Sequence, residues 1–217
     1  MRVLMSLFAA SIIAAAVSPA AAETVRKVLA SPLVDEGSDP DGCTAAVSGL
    51  GGPAVWQVRV ERLLLDGKAL VETSREAKAD RYPLCIADLP VAKNAEVTLS
   101  FVAHNRGIAS TAGIVLRFID PQDFYYVEAD MVARRVRLFR IVNGERRELA
   151  KAAAALAADK ALTLTVRAAG DSFAVSLDGK SLLETHDGAI GVPGRLGIGS
   201  RADGQTSFGD LFIDVLD

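Results

Sequence analysis

The stretch VRLFRIV-NG-ERREL, residues 136–149, decides how the chain is read. Two β-rich runs flank Asn143-Gly144, the dipeptide that best supplies the two positive φ angles of a tight hairpin turn. Asp66-Gly67 and Asp178-Gly179 repeat the signal elsewhere. From about Trp56 to the end, strand follows turn follows strand. This pattern predicts an all-β sandwich.

Working outward, residues 55–65 and 69–73 read as a hairpin around Asp66-Gly67. Val97, Leu99, Phe101 and Ala103 alternate with Thr98, Ser100, Val102 and His104, the period of a half-buried strand. Residues 112–119 form a more apolar strand, followed by the turn 120–123 and a strand over 124–132. Leu162, Leu164 and Val166 alternate with Thr163, Thr165 and Arg167, and residues 173–177 pair through Asp178-Gly179. Residues 195–201 and 208–216 close the domain. The Ala-rich stretch 149–158 is the one candidate helix, because Ala is the best helix former; a short surface turn is the alternative.

The N-terminus addresses the compartment. Arg2 precedes an apolar run over residues 3–17, and Ala20-Ala21-Ala22 is a small-residue cleavage site. Residues 1–22 are therefore expected to be a secretory signal peptide. The run is shorter than the roughly 20 residues of a membrane span, so the expected location is periplasmic or secreted, with no membrane span. Residues 23–54 are rich in Gly, Pro, Asp and Ser and are expected to wrap a sandwich domain over 55–217. The net charge of −3 argues against nucleic acid as a partner, since that partner favours strongly basic surfaces. Cys43 and Cys85 are the two cysteines, and an even pair in an oxidising compartment predicts one disulfide.

Candidate chemistry is sparse. On a strand, residues i and i+2 share a face, so Tyr126, Glu128 and Asp130 form one row. Glu128 and Asp130 would be the carboxylates of a glycosidase, which needs two acids flanking the bond. A polar outer strand face is the structural alternative. Arg117, on the neighbouring strand, is expected to pair with Glu128. Arg134, Arg135, Arg137, Arg140, Arg146 and Arg147 cluster on one hairpin, where Arg135 and Arg137 can meet Arg146 or Arg147 across the ladder. Such a patch suits an anionic glycan or a lipid headgroup, and Glu145 and Glu148 partly neutralise it. His104 and His186 are too few for a metal site, which needs several converging ligands. The acidic run 35–42 suggests calcium, but it lacks the bidentate Glu of an EF-hand loop and contains Pro40.

Several stretches together resemble the concanavalin A-like lectin and glucanase superfamily. GIVLRF (113–118) followed by FYYV (124–127) is similar to a strand pair of the branch called 3-keto-disaccharide hydrolase domains. LTLTV (162–166), FAVSLDGK (173–180), PGRLGIG (193–199) and SFGDL (207–211) match further strands of that branch in order. DGC (41–43), Val55-Trp56 and PLC (83–85) resemble an exported bacterial branch with paired cysteines. The resemblance implies a jelly-roll of two antiparallel sheets, one of them concave. It also implies a glycan as ligand or substrate, with calcium held in some relatives. The chain departs from the branch at 110–114, 128–131 and 199–203, where Arg201 stands, so the concave face has a polar identity of its own. The residues expected to bind a ligand are Arg117, Tyr126, Glu128, Asp130 and Arg201, and no catalytic or metal-ligating residue is assigned. The first expectation is an exported, non-catalytic binding module for a glycan or other envelope component. A hydrolase of 3-keto or related sugars and a structural or protein-interaction domain are the alternatives.

Overall fold

The computed structural model describes residues 24–27, 29, 33–104 and 108–216. The expected signal peptide lies outside them. Fifteen strands account for the regular structure, and no helix occurs among the described residues. The first five are β1 (Thr24–Lys27), β2 (Cys43–Gly49), β3 (Trp56–Val60), β4 (Lys68–Glu72) and β5 (Arg81–Ala87). The next five are β6 (Ala95–His104), β7 (Thr111–Asp120), β8 (Asp123–Asp130), β9 (Arg135–Val142) and β10 (Glu145–Ala153). The last are β11 (Ala161–Ala169), β12 (Ser172–Leu177), β13 (Lys180–His186), β14 (Arg195–Gly199) and β15 (Gln205–Val215).

The strands form two antiparallel sheets. The first runs β13-β12-β11-β6-β15-β4-β3, with β1 also pairing β15; the second runs β10-β9-β8-β7-β14-β5-β2. Alternation places the core. Val97, Leu99 and Phe101 of β6 meet Ile114, Leu116, Tyr125, Val127 and Leu138 of the second sheet in one apolar layer. Two of the turn dipeptides behave as their chemistry dictates: Asn143 and Gly144 have φ of 51° and 77°, and Asp178 and Gly179 have 48° and 74°. At Asp66-Gly67 the glycine alone is left-handed, at φ 67°. There β3 and β4 pair as expected, through a longer connection over 61–67.

Three expectations change. The Ala-rich stretch is not a helix, because β10 runs on to Ala153 against β9, with a bulge between Glu148 and Ala150. Leu149, Ala150 and Ala152 pack on the core from there, and that tertiary packing outweighs the helix preference of Ala. The stretch 23–54 does more than wrap, since β1 and β2 are members of the two sheets. Finally, simple alternation would place Arg117 on the outer face with Val115. A bulge between Leu116 and Asp120 intervenes, and Arg117 sits in it at φ 49°. The extra residues turn its side chain inward.

A disulfide joins Cys43 on β2 to Cys85 on β5, with Cα atoms 5.5 Å apart, within the normal span of such a bond. It staples the edge strand of the second sheet to its neighbour.

The second sheet is concave on its outer side. Arg146 on β10 lies over the Tyr82 ring of β5, 4.3 Å from its centroid. Five strand spacings separate β10 from β5, about 24 Å on a flat sheet, far beyond the reach of an arginine. The sheet therefore curls until its two ends approach.

Candidate functional site

The concave face is built from alternate residues of successive strands. β8 contributes Phe124, Tyr126, Glu128 and Asp130. Register sets Phe139 opposite Tyr126, Arg137 opposite Glu128 and Arg135 opposite Asp130. Across the Asn143-Gly144 hairpin, Arg146 stands opposite Ile141. On the other side of β8, Gly113 of β7 faces Glu128, and Gly199 of β14 faces Gly113. The two glycines make room for a ring. A Cβ on Gly113 would lie 2.3 Å from the ring edge and hydroxyl of Tyr126, and one on Gly199 would lie 3.2 Å from the same ring. Tyr126 thus lies across the neighbouring strand, edge-on to Tyr82 at 6.1 Å.

Beside it sits a buried ionic network. Glu128 is 0% exposed and Asp130 2%, so this row is not a solvated polar face. Arg137 Nη2 donates to both Glu128 Oε1 and Asp130 Oδ2, the latter at 3.1 Å. Arg201 Nη2 donates to Asp130 Oδ2 at 3.0 Å, and its Nε lies 3.4 Å from Glu128 Oε2. Asp130 Oδ1 also accepts from the Ala133 backbone at 2.9 Å and so caps the β8–β9 turn. Burial pushes the Glu128 carboxyl above its ordinary pKa, and the charges of Arg137 and Arg201 oppose that rise.

Arg146 completes the face in a different way. Its guanidinium carbon stacks 3.6 Å from the centroid of Phe139, as well as on Tyr82. Its closest approach to the network is 3.8 Å, from Nη2 to Glu128 Oε1. Burial, and then the like charge of Arg201, bring its pKa down to about 10. A cleft of about 200 Å³ opens here, lined by Ser48, Tyr82, Phe124, Tyr126, Ile141 and Arg146 among others. That is smaller than the roughly 300–1,000 Å³ of a typical small-molecule pocket.

Of the residues expected to meet a ligand, Tyr126, Glu128, Asp130 and Arg201 come together here. Arg117 does not, and its expected pairing with Glu128 is absent. Its Nε, Nη1 and Nη2 donate to the carbonyls of Lys93 (2.9 Å), Ile190 (2.9 Å) and Gly170 (2.6 Å). The guanidinium lies over Tyr125 and Phe173, inside the molecule. The arginine hairpin also divides: Arg135, Arg137 and Arg146 face the cleft side, whereas Arg140 bonds Asp187 at 2.8 Å. Strand alternation and the two-residue turn suffice to place Arg137 beside Glu128 and Arg146 on the same face, opposite Ile141. No local signal points to Tyr82, which arrives only because the sheet curls.

His104, read as a lone histidine, has partners. Its Nδ1 meets Asp159 Oδ1 at 2.6 Å, and its Nε2 meets Glu61 Oε2 at 3.0 Å and Ser207 Oγ at 3.3 Å. Both ring nitrogens face carboxylate acceptors. That arrangement ties the loop at Glu61 to the turn at Asp159 and to Ser207 of β15. Among the described residues, no group of three or more His, Cys, Asp or Glu is placed to hold a metal ion. Asp35, Glu36, Asp39 and Asp41 of the acidic run are all exposed. No helix among the described residues is long and apolar enough to cross a membrane.

No protein-family model and no curated protein matches the chain. Solved structures do. A carbohydrate-binding module, CBM66, from Bacillus subtilis superposes with TM-score 0.62 at 16% identity, covering 80% of this chain and 97% of that one. A Bacillus subtilis protein of unknown function with a galectin-like fold gives 0.55 at 13%, covering 78% and 88%. Domain 4 of AbnA, an extracellular arabinanase from Geobacillus stearothermophilus in complex with arabinotriose, gives 0.52 at 11%, covering 79% and 82%. The fold is thus a concanavalin A-like, galectin-like jelly-roll.

Proposed function

We propose that the protein is an exported, non-catalytic binding module whose ligand is a glycan or another cell-envelope component, held on the concave face of the second sheet. One observation carries this reading. The two acids a hydrolase would use, Glu128 and Asp130, are buried and tied to Arg137 and Arg201, while the cleft beside them is lined by aromatic rings, the stacked guanidinium of Arg146 and Asp80. Asp80 is one exposed carboxylate on the wall, and it lacks the second free acid that glycoside hydrolysis uses. Tyr126 and Arg201 belong to this surface, with Glu128 and Asp130 as the anions that position the arginines. The fold is used for saccharides by neighbours described as a carbohydrate-binding module and as an arabinotriose complex, although fold alone does not assign function. Export is supported by the N-terminal sequence pattern and by the disulfide.

One feature favours the hydrolase of 3-keto or related sugars as a second reading. Glu128 has a raised pKa, as a general acid requires. Calorimetric titration with neutral and acidic oligosaccharides and 3-keto sugars, with and without calcium, separates the readings when combined with product analysis. Saturable binding without products is expected. Turnover makes the protein an enzyme. The absence of binding to every saccharide sinks the module.

A further inference from the structure

Hydrogen-bond supply and demand on the concave face do not balance. Buried nitrogens without a hydrogen-bond partner include Nε of Arg135, Arg137 and Arg201, and both Nε and Nη2 of Arg146. The Tyr126 hydroxyl, over Gly113, is likewise buried and unpartnered. Against these donors stand Glu128 Oε2, which lies 3.4 Å from Arg201 Nε and so partly meets it, and the Thr111 hydroxyl opposite Asp130. Buried polar groups are rarely left so, and each instance calls for an explanation.

We propose that the saccharide bound on this face carries a carboxylate, received by the edge of the Arg146 guanidinium with Arg201 and the Tyr126 hydroxyl alongside. The proposal rests on the binding-module reading and deepens it. Arg146 is fixed through its faces, by Phe139 at 3.6 Å and Tyr82 at 4.3 Å, and its contact with a carboxylate, Nη2 to Glu128 Oε1, is 3.8 Å, too long for a hydrogen bond. A guanidinium held this way keeps its planar fork of N–H groups for an incoming planar anion, the bidentate geometry at which arginine excels. Burial and the charge of Arg201 already disfavour the bare cation, and a bound anion relieves both. A neutral sugar can meet single donors with its hydroxyl and ring oxygens, but only a carboxylate brings two coplanar acceptors and a negative charge to the guanidinium fork.

The surrounding charges agree. Arg135, Arg137, Arg146 and Arg201 face the buried Glu128 and Asp130. The other acids near Arg146 are Asp80, which lines the same cleft, and Glu148. Both are exposed, and Glu148 is bonded to Lys151 at 2.9 Å. Solvent screens exposed charges of this kind.

The test is calorimetric titration of the purified protein with four probes: trigalacturonate, its carboxyl-reduced counterpart, a sulfated trisaccharide, and vesicles of anionic phospholipid. Trigalacturonate is expected to bind at least tenfold more tightly than the reduced trisaccharide, with the advantage shrinking as salt is raised. Arg146→Gln should remove that advantage. Arg146→Lys keeps the charge and the stem and should retain only part of it, so the proposal stays testable if the Gln variant does not fold. Equal binding of the uronate and its reduced form leaves the binding module standing but overturns the carboxylate. Tighter binding of the sulfated sugar or of the vesicles also overturns it. Silence from all four overturns the carboxylate, and the wider saccharide titration above then decides whether the binding module stands.

Discussion

Arg81 and Arg146 serve opposite ends. Arg81 is fully buried, and each of its nitrogens has an acceptor. Nε donates to the Gly52 carbonyl at 3.4 Å, Nη1 to Ala202 at 3.3 Å, and Nη2 to Pro53 at 3.0 Å and Glu72 at 3.1 Å. Arg117 repeats the pattern with three carbonyls. These arginines gather loops and strands that are distant in sequence, and they are saturated. On the concave face the arginines are held by rings or share two carboxylates, and several of their nitrogens are left over. Burial alone therefore does not separate these two groups of arginines. The count of satisfied donors does, because an unmet buried donor costs stability unless something supplies its acceptor.

The contrast can be broken at its strongest point first. Arg81→Met removes the partner of the buried Glu72 and strands three carbonyls. It is expected to cost about 3–5 kcal/mol in denaturant unfolding. A loss below about 1 kcal/mol would mean that saturation does not mark a structural role.

Next comes Glu128, whose raised pKa has a defined sign. A carboxyl whose folded pKa lies above its ordinary 4.5 binds its proton more tightly when folded. Its contribution to stability is complete below about 4.5 and is lost as pH rises through the folded value. Asp187 behaves oppositely. Burial raises it, but hydrogen bonds from Tyr125 and Ala189 and the charge of Arg140 hold it low. Comparing wild type with Glu128→Gln isolates the first effect. The wild type should lose stability relative to the variant as pH climbs from about 4.5, and parallel curves would contradict the burial-driven shift.

The smallest effect sharpens the comparison. Tyr126→Phe deletes a buried hydroxyl with no partner, so thermal stability should hold within about 0.5 kcal/mol or improve slightly. Saccharide affinity should meanwhile fall several-fold. A clear loss of stability would show that the hydroxyl belongs to the structural group after all.

Legibility followed locality. The hairpins were readable because Asn143-Gly144 and Asp178-Gly179 carry their turn geometry within two residues. Glu128 and Asp130 share a face with Tyr126 because a strand has period two. The misreadings came where distant partners intervened. The helix preference of the Ala-rich stretch yielded to pairing with β9, in which Ala152 and Ala153 stand opposite Val136 and Arg135. The bulge at Arg117 cancelled the alternation that would have put it on the same face as Glu128.

By itself the sequence determined an all-β chain, its tight turns, the cysteine pair and the acidic row of β8, since each depends on neighbours a few residues away. Only the tertiary structure decided that Tyr82 and Arg146 share one cleft, that Arg201 reaches the carboxylates and that Arg117 does not. Those facts depend on the curl of a seven-stranded sheet and on one bulge within it, and both are set by contacts summed over the whole fold.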